Sequence, residues 1–176
     1  PGRDVVGALY MAREVSGVMG QLGAGWLERP ERERQERTDL LIAGLSLSDD
    51  FVVADIGAGT GYFTFPVAQR VPRGKVFSVD IQPEMLARVE RRKALENVAN
   101  VETVLGEEDD PKLPAKEIDL AFIVDAYHEF SFPREMGERL KESLKPGGRL
   151  VLVEYRAEDR CVPIKRLHKM SELQVK

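Results

Sequence analysis

The chain has 176 residues, 43% of them hydrophobic and 32% charged, with a formal net charge of −4. That is one globular domain's worth of material, enough to bury a core, and its mild acidity leaves no electrostatic footprint for nucleic acid. Cys161 has no second cysteine to pair with, and no apolar run approaches the ~18 residues of a membrane span, so a cytoplasmic setting away from membranes is expected.

Apolar residues at Val5, Val6, Leu9, Val15, Val18, Met19 and Leu22 fall broadly at helical spacing and predict a helix over residues 3–23, against the cost of several glycines. Gly23-Ala-Gly-Trp-Leu interrupts it. Pro30 suits the first turn of a second helix, and Glu31 and Glu33 complement its dipole. Glu33 and Arg37 make an i,i+4 pair, which reads the charge run as a solvated face, with Leu40, Leu41, Ile42 and Leu45 as the buried end. Trp26 reads as a packing residue more readily than as a lid. Residues 1–45 are taken as an N-terminal helical lid or extension, or a homodimer surface, ahead of a main domain over 46–176.

From Phe51 onward the pattern alternates. Short segments apolar on both faces predict strands near 51–56, 75–80, 101–105, 118–124 and 149–154, and helices are predicted near 60–71, 83–95 and 133–144. This is an α/β fold, a doubly wound, mainly parallel sheet covered by helices on both faces, with expected strand order 3-2-1-4-5. Lys145-Pro-Gly-Gly marks a turn into the fifth strand. Ser171 and Gln174 form a capping box, yet the sequence ends one turn later, so the reading expects a longer native chain and, as it stands, an exposed edge at Arg149–Glu154.

The first strand runs into Asp55-Ile-Gly-Ala-Gly-Thr-Gly61, an acid followed by glycine at every second position. Glycines there let the backbone approach a ligand or adopt positive φ, as a nucleotide-like molecule over the strand end requires. A dinucleotide fingerprint begun at Gly57 needs glycine or alanine at position 62, where Tyr62 stands. The second strand ends in Asp80, about 20 residues beyond the loop, where a carboxylate accepts hydrogen bonds from two ribose hydroxyls.

The Asp55, Gly57, Gly59, Gly61 pattern, with Asp80 at the next strand end, resembles the class I S-adenosylmethionine-dependent methyltransferase family. The resemblance runs from about Val52 to Glu154, and is loosely closest to menaquinone- and ubiquinone-type small-molecule methyltransferases. It implies S-adenosylmethionine as cofactor, with Asp55, Gly57, Ala58, Gly59 and Gly61 around it, Asp80 on the ribose, and Ile81 packed on adenine with Gln82 at its rim. It also implies that one of Glu107, Glu108 and Asp109 accepts from the adenine amine. Asp125, opening Asp-Ala-Tyr-His-Glu-Phe130, is implied to face the methionine part. The family commonly adds a C-terminal antiparallel hairpin, for which no residues remain here.

Tyr127, His128 and Glu129 are candidates to remove a proton from an acceptor hydroxyl, amine or thiol. The expected reaction is in-line methyl transfer to a small molecule, in which the sulfonium supplies the leaving group and the protein supplies positioning. A nicotinamide-dependent oxidoreductase and a non-catalytic cofactor-binding scaffold are the alternatives. Several cysteines would be needed for an arsenite-type acceptor. No metal is expected, because neither His-x-x-x-His nor Cys-x-x-Cys spacing occurs around His128 or His168. The basic cluster Arg88–Lys93 lacks interleaved aromatics and reads as a solvated helix face.

Overall fold

A computed structural model describes residues 8–10, 13–159 and 161–175. Its first elements are strands β1 (Ala8–Tyr10) and β2 (Arg13–Val15), paired antiparallel with Ala8 opposite Val15. The helix expected over 3–23 is therefore absent from its described part: Ala8–Tyr10 and Arg13–Val15 pair as antiparallel strands, and a single 3₁₀ turn follows at Gln21–Gly23. A glycine-interrupted apolar stripe offered a helix too little, and three cross-strand pairs won. Three short helices come next, α1 (Ala24–Leu27), α2 (Arg32–Glu36) and α3 (Thr38–Gly44).

Arg37 sits at φ +49 and separates α2 from α3, so the helix expected from Pro30 onward is broken. The Arg37 guanidinium meets Asp39 at 2.9 Å rather than Glu33. Arg32 departs from the solvated face altogether. Only 4% exposed, it donates to Glu36 Oε2 at 2.8 Å and to the Leu27 carbonyl at 2.9 Å, and lies 4.2 Å over the Tyr62 ring.

The main sheet has five strands, β3 (Val52–Ile56), β4 (Lys75–Asp80), β5 (Val101–Leu105), β6 (Ile118–Val124) and β7 (Leu144–Val153), in the order β5-β4-β3-β6-β7 with every pair parallel. Counted along this sheet alone, that is the expected 3-2-1-4-5. Helices α4 (Thr64–Arg70), α5 (Pro83–Glu96) and α6 (Pro133–Ser143) fill the crossovers, and α7 (Glu172–Val175) closes the described chain.

Period-two alternation assigns side chains to the two faces. Val53, Val76, Leu120 and Phe122 pack with Phe65, Val67 and Val89 beneath α4 and α5, together with Ile42 of α3. Ala54, Phe77, Ala121 and Ile123 pack with Met136 and Leu140 of α6 on the other side. Burying each such large side chain stabilises the fold by about 1.5–3 kcal/mol, which explains why strands covered on both faces carry unbroken apolar runs.

Two expected boundaries shift. Residues 57–63 are spent on turns, so α4 begins at Thr64 rather than near 60. Lys145–Gly148 is a bulge within β7, since Ile118 pairs with Leu144 while Leu120 pairs with Arg149. The capping box forms reciprocally: the Ser171 N–H donates to Gln174 Oε1 at 2.8 Å, and the Gln174 N–H to Ser171 Oγ at 3.2 Å.

Candidate active site

Because all five strands are parallel, Ile56, Asp80, Leu105, Val124 and Val153 end along one edge, where a cavity opens. The glycine loop is pinned beneath it. The N–H groups of Gly57 and Ala58 both donate to the Val79 carbonyl, at 2.9 and 3.0 Å. Gly57, Gly59 and Gly61 all have positive φ, at +71, +56 and +80. The glycines differ in what surrounds them. A Cβ at Gly59 would stand 3.0 Å from Leu27 Cδ1 beside the cavity, whereas one at Gly61 would press on Phe65 and Val89 of the core at 2.9 and 3.1 Å.

Asp80 ties the loop to its neighbouring strand. Its Oδ2 accepts from the Gly59 N–H at 2.8 Å and its Oδ1 from the Gln82 N–H at 2.9 Å, so the two sequence signals meet in one hydrogen bond. Burial raises its pKa, and the bonds from Gln82 and Gly59 oppose that. Asp55 lies deeper and accepts from Thr64 Oγ1 at 2.6 Å. Its carboxyl is pushed up to about 7, first by burial; the Thr64 bond opposes this, and the charge of Asp80 adds to it.

Asp125 follows β6 at φ +50, unusual for a residue with a side chain. Its N–H donates to the Val153 carbonyl at 2.8 Å, while Oδ1 is buried without a hydrogen-bond partner among the described residues. Burial pushes this carboxyl up to about 7. A buried acceptor on the cavity wall without a hydrogen-bond partner among the described residues suits a donor on a bound ligand.

Of the expected cofactor contacts, Asp55, Gly57, Ala58, Gly59, Asp80, Ile81, Gln82, Glu107, Glu108 and Asp125 line the cavity, and Gly61 and Asp109 do not. The Gln82 amide donates to the Met19 carbonyl at 3.0 Å, and Glu107 meets Lys112 at 3.2 Å.

Of Tyr127, His128 and Glu129, only Glu129 lines the cavity. Its Oε2 accepts from the Met19 N–H at 3.1 Å, and burial pushes its pKa up to about 7. His128 is only 1% exposed and stands behind it. The His128 Nδ1 meets Glu154 Oε2 at 2.8 Å, and Glu154 Oε1 accepts from the Tyr127 N–H at 2.7 Å. Burial lowers the His128 pKa, but the Glu154 hydrogen bond and the charges of Glu154, Asp125 and Glu129 outweigh it, so the net shift is upward. His128 Nε2 lies 3.0 Å from Nδ1 of His168, whose Nε2 is 3.3 Å from Ser16 Oγ.

Sequence reasoning missed Met19, Leu27 and Arg32 on the cavity wall, and Trp26, read as packing, lines it as well under the Arg29 guanidinium 3.8 Å from its ring. Glu28 also receives a hydrogen bond from Thr60, beside the glycine loop. Only Arg32 carried a signal, the i,i+4 spacing to Glu36 inside the charged run Glu31–Arg37. The others are placed by tertiary contact between segments distant in the chain, as with Gln82 and Met19 or Thr60 and Glu28.

A doubly wound parallel sheet with a glycine loop and a neighbouring acid at its carboxyl edge defines a nucleotide-cofactor fold of the class I type. The methyltransferase domain family matches residues 53–148, and the chain belongs to it, among the class I S-adenosylmethionine-dependent methyltransferases. This removes the nicotinamide alternative.

A solved S-adenosylmethionine-dependent methyltransferase from Aquifex aeolicus superimposes with a TM-score of 0.83 at 26% identity, over 90% of this chain and 85% of that one. An uncharacterised methyltransferase-like protein of Schizosaccharomyces pombe is 31% identical over 72% of this chain and 46% of its own length. A demethylmenaquinone methyltransferase of Thermus thermophilus is 33% identical over 58% and 46%. The chain thus spans about half the length of these curated relatives. No helix among the described residues is long and apolar enough to cross a membrane.

Proposed function

We propose that the chain binds S-adenosylmethionine in this cavity and transfers its methyl group to a small-molecule acceptor. The observation that carries the reading is the Asp80 carboxylate, fixed by the Gly59 and Gln82 N–H groups at 2.8 and 2.9 Å and lining the cavity. Each oxygen keeps a further lone pair for a ribose hydroxyl. Ile81, 37% exposed, offers an apolar surface for adenine, with Glu107 and Glu108 beside it to accept from the amine. The methionine ammonium is the donor that Asp125 Oδ1 lacks. At that end Glu129 faces the acceptor, and Tyr127 and His128 hold the segment from behind.

Methyl transfer needs the acceptor lone pair in line with the S–CH₃ bond in a water-poor site, more than it needs a strong acid or base. Val18, Met19, Trp26 and Leu27 supply the dry wall, acting as a lid from the N-terminal extension over the main domain. A cavity roofed this way suits a small acceptor better than a macromolecule. The demethylmenaquinone relative supports the same choice, and a cytoplasmic location fits a chain with one cysteine. The test is calorimetry with S-adenosylmethionine and NADH, followed by labelled-methyl transfer to a panel of small quinols, phenols, amines and thiols. Binding of the sulfonium with transfer to one of these is expected; NADH binding in its place would overturn the reading.

A further inference from the structure

We propose that His128, Glu129 and His168 form a binding site for a divalent transition-metal ion of the zinc type, at the acceptor end of the cavity. Spacing along the chain argues against such a site, since His128 and His168 are 40 residues apart. The fold brings them together nonetheless. One donor atom from each of the three lies within 4.8 Å of the others, and the two nitrogens, His128 Nε2 and His168 Nδ1, are 3.0 Å apart. With Zn–N bonds of about 2.0–2.1 Å, that separation subtends roughly 95° at a shared ion, against about 3.4 Å for tetrahedral angles. His128 Nε2 to Glu129 Oε1 is 3.8 Å, wider than tetrahedral, so small opposite adjustments of the two edges converge on one ion.

The outer partners match a metal centre as well. A metal-bound imidazole directs its other nitrogen to a carboxylate or similar group, which fixes the ring. His128 Nδ1 is held by Glu154 at 2.8 Å, and Glu154 is itself anchored by the Tyr127 N–H. His168 Nε2 faces Ser16 Oγ at 3.3 Å, and Glu129 is oriented through its second oxygen by the Met19 N–H. Asp125 Oδ1, 3.9 Å from His128 Nδ1, adds a third carboxylate to the cluster. Two imidazoles with three carboxylates around them make an electronegative pocket whose N₂O donor set suits zinc or ferrous ions better than magnesium or calcium.

Two histidines and one carboxylate leave a coordination position open, as in catalytic rather than structural zinc sites. Glu129, the ligand that lines the cavity, places that position toward the acceptor. An acceptor hydroxyl or thiol bound there gives its proton to water. Its lone pair then forms the new bond to the methyl carbon as the C–S bond breaks, and that electron pair stays on sulfur as the neutral thioether. This use of the ion rests on the methyltransferase reading; its binding does not.

The test is titration of chelator-stripped protein with Zn²⁺ in a calorimeter, and with Co²⁺ followed by visible absorption. One Zn²⁺ per chain is expected, with cobalt bands of a four- or five-coordinate site. Glu154→Gln should weaken Zn²⁺ by about 10–100-fold, the usual effect of losing an outer partner, and His168→Ala by more. Cys161→Ser should leave affinity unchanged, which excludes the exposed thiol as the ligand. Circular dichroism checks each variant, and His168→Asn replaces His168→Ala if the latter fails to fold. Absence of stoichiometric Zn²⁺ binding, or wild-type affinity in the His168 variant, overturns the site. S-adenosylmethionine calorimetry on the metal-free protein reads the methyltransferase assignment separately.

Discussion

Asp80→Ala tests the cofactor assignment where it is most exposed to failure. The carboxylate accepts from the N–H groups of Gly59 and Gln82 at 2.8 and 2.9 Å and is 6% exposed, so truncation leaves two donors without their acceptor. Orphaning a buried donor costs about 1–3 kcal/mol, and each hydrogen bond from a ribose hydroxyl to a charged group contributes about 1.5–3 kcal/mol. Loss of both ribose bonds therefore removes about 3–6 kcal/mol of binding, a rise in Kd of roughly 10²- to 10⁴-fold at 1.4 kcal/mol per decade. The loop would loosen at the same time. A fall in melting temperature of about 2–4 °C per kcal/mol lost is expected for a domain of this size. Calorimetric titration with S-adenosylmethionine and a thermal melt measure the two effects. An affinity within twofold of wild type in Asp80→Ala would refute the ribose role, whatever the melt shows.

Asp55, pushed up to about 7, makes stability pH-dependent with a definite sign. Between its ordinary value near 4 and about 7 the folded state holds a proton that the unfolded state has lost, so its contribution is full below pH ~4 and declines as pH rises through 7. Asp55→Asn keeps an acceptor for Thr64 and cannot ionise. The stability difference, variant minus wild type, should therefore grow from pH 5 to pH 8 in urea titrations, and a flat difference would contradict the shift. Gly61→Ala forces a Cβ to 2.9 Å from Phe65 Cε2 at φ +80, and should cost about 2–5 kcal/mol from overpacking and left-handed strain together, read as a lower urea midpoint. Asp119→Ala removes the acceptor of the Val52 N–H at 2.8 Å and the partner of Lys145 at 2.7 Å; a loss of about 1–3 kcal/mol is expected in the same assay, with cofactor affinity unchanged.

The sheet was legible because its inner strands β3, β4 and β6 are buried on both faces, which writes them as apolar runs with polar ends, and because Asp55 and Asp80 fall where those runs stop. The boundaries that slipped are places where a turn competes with a regular element, as in residues 57–63 before α4 and Lys145–Gly148 within β7. Ala8–Tyr10 and Arg13–Val15 were misread because the seven apolar positions over 3–23 fitted a helix only loosely, and the pairing of Ala8 with Val15 leaves no periodic mark in such short strands. The clustering of His128, Glu129 and His168 was hidden for a different reason. Metal-ligand spacing rules describe ligands on one helix or knuckle, whereas these come from segments that meet only after β7 has docked beside β6.

The all-parallel connectivity also governs how this chain reaches its native state. No two neighbouring strands of the main sheet are joined by a tight hairpin, so every ladder waits for a crossover to close a loop before any pairing rewards it. β3 is flanked by β4 on one side and by β6 on the other, and the sequence delivers β6 only after β4, α5 and β5 have been made. Until then one margin of β3 is bare, and refolding is expected to be slow and sensitive to protein concentration, in contrast to a helical bundle of equal length.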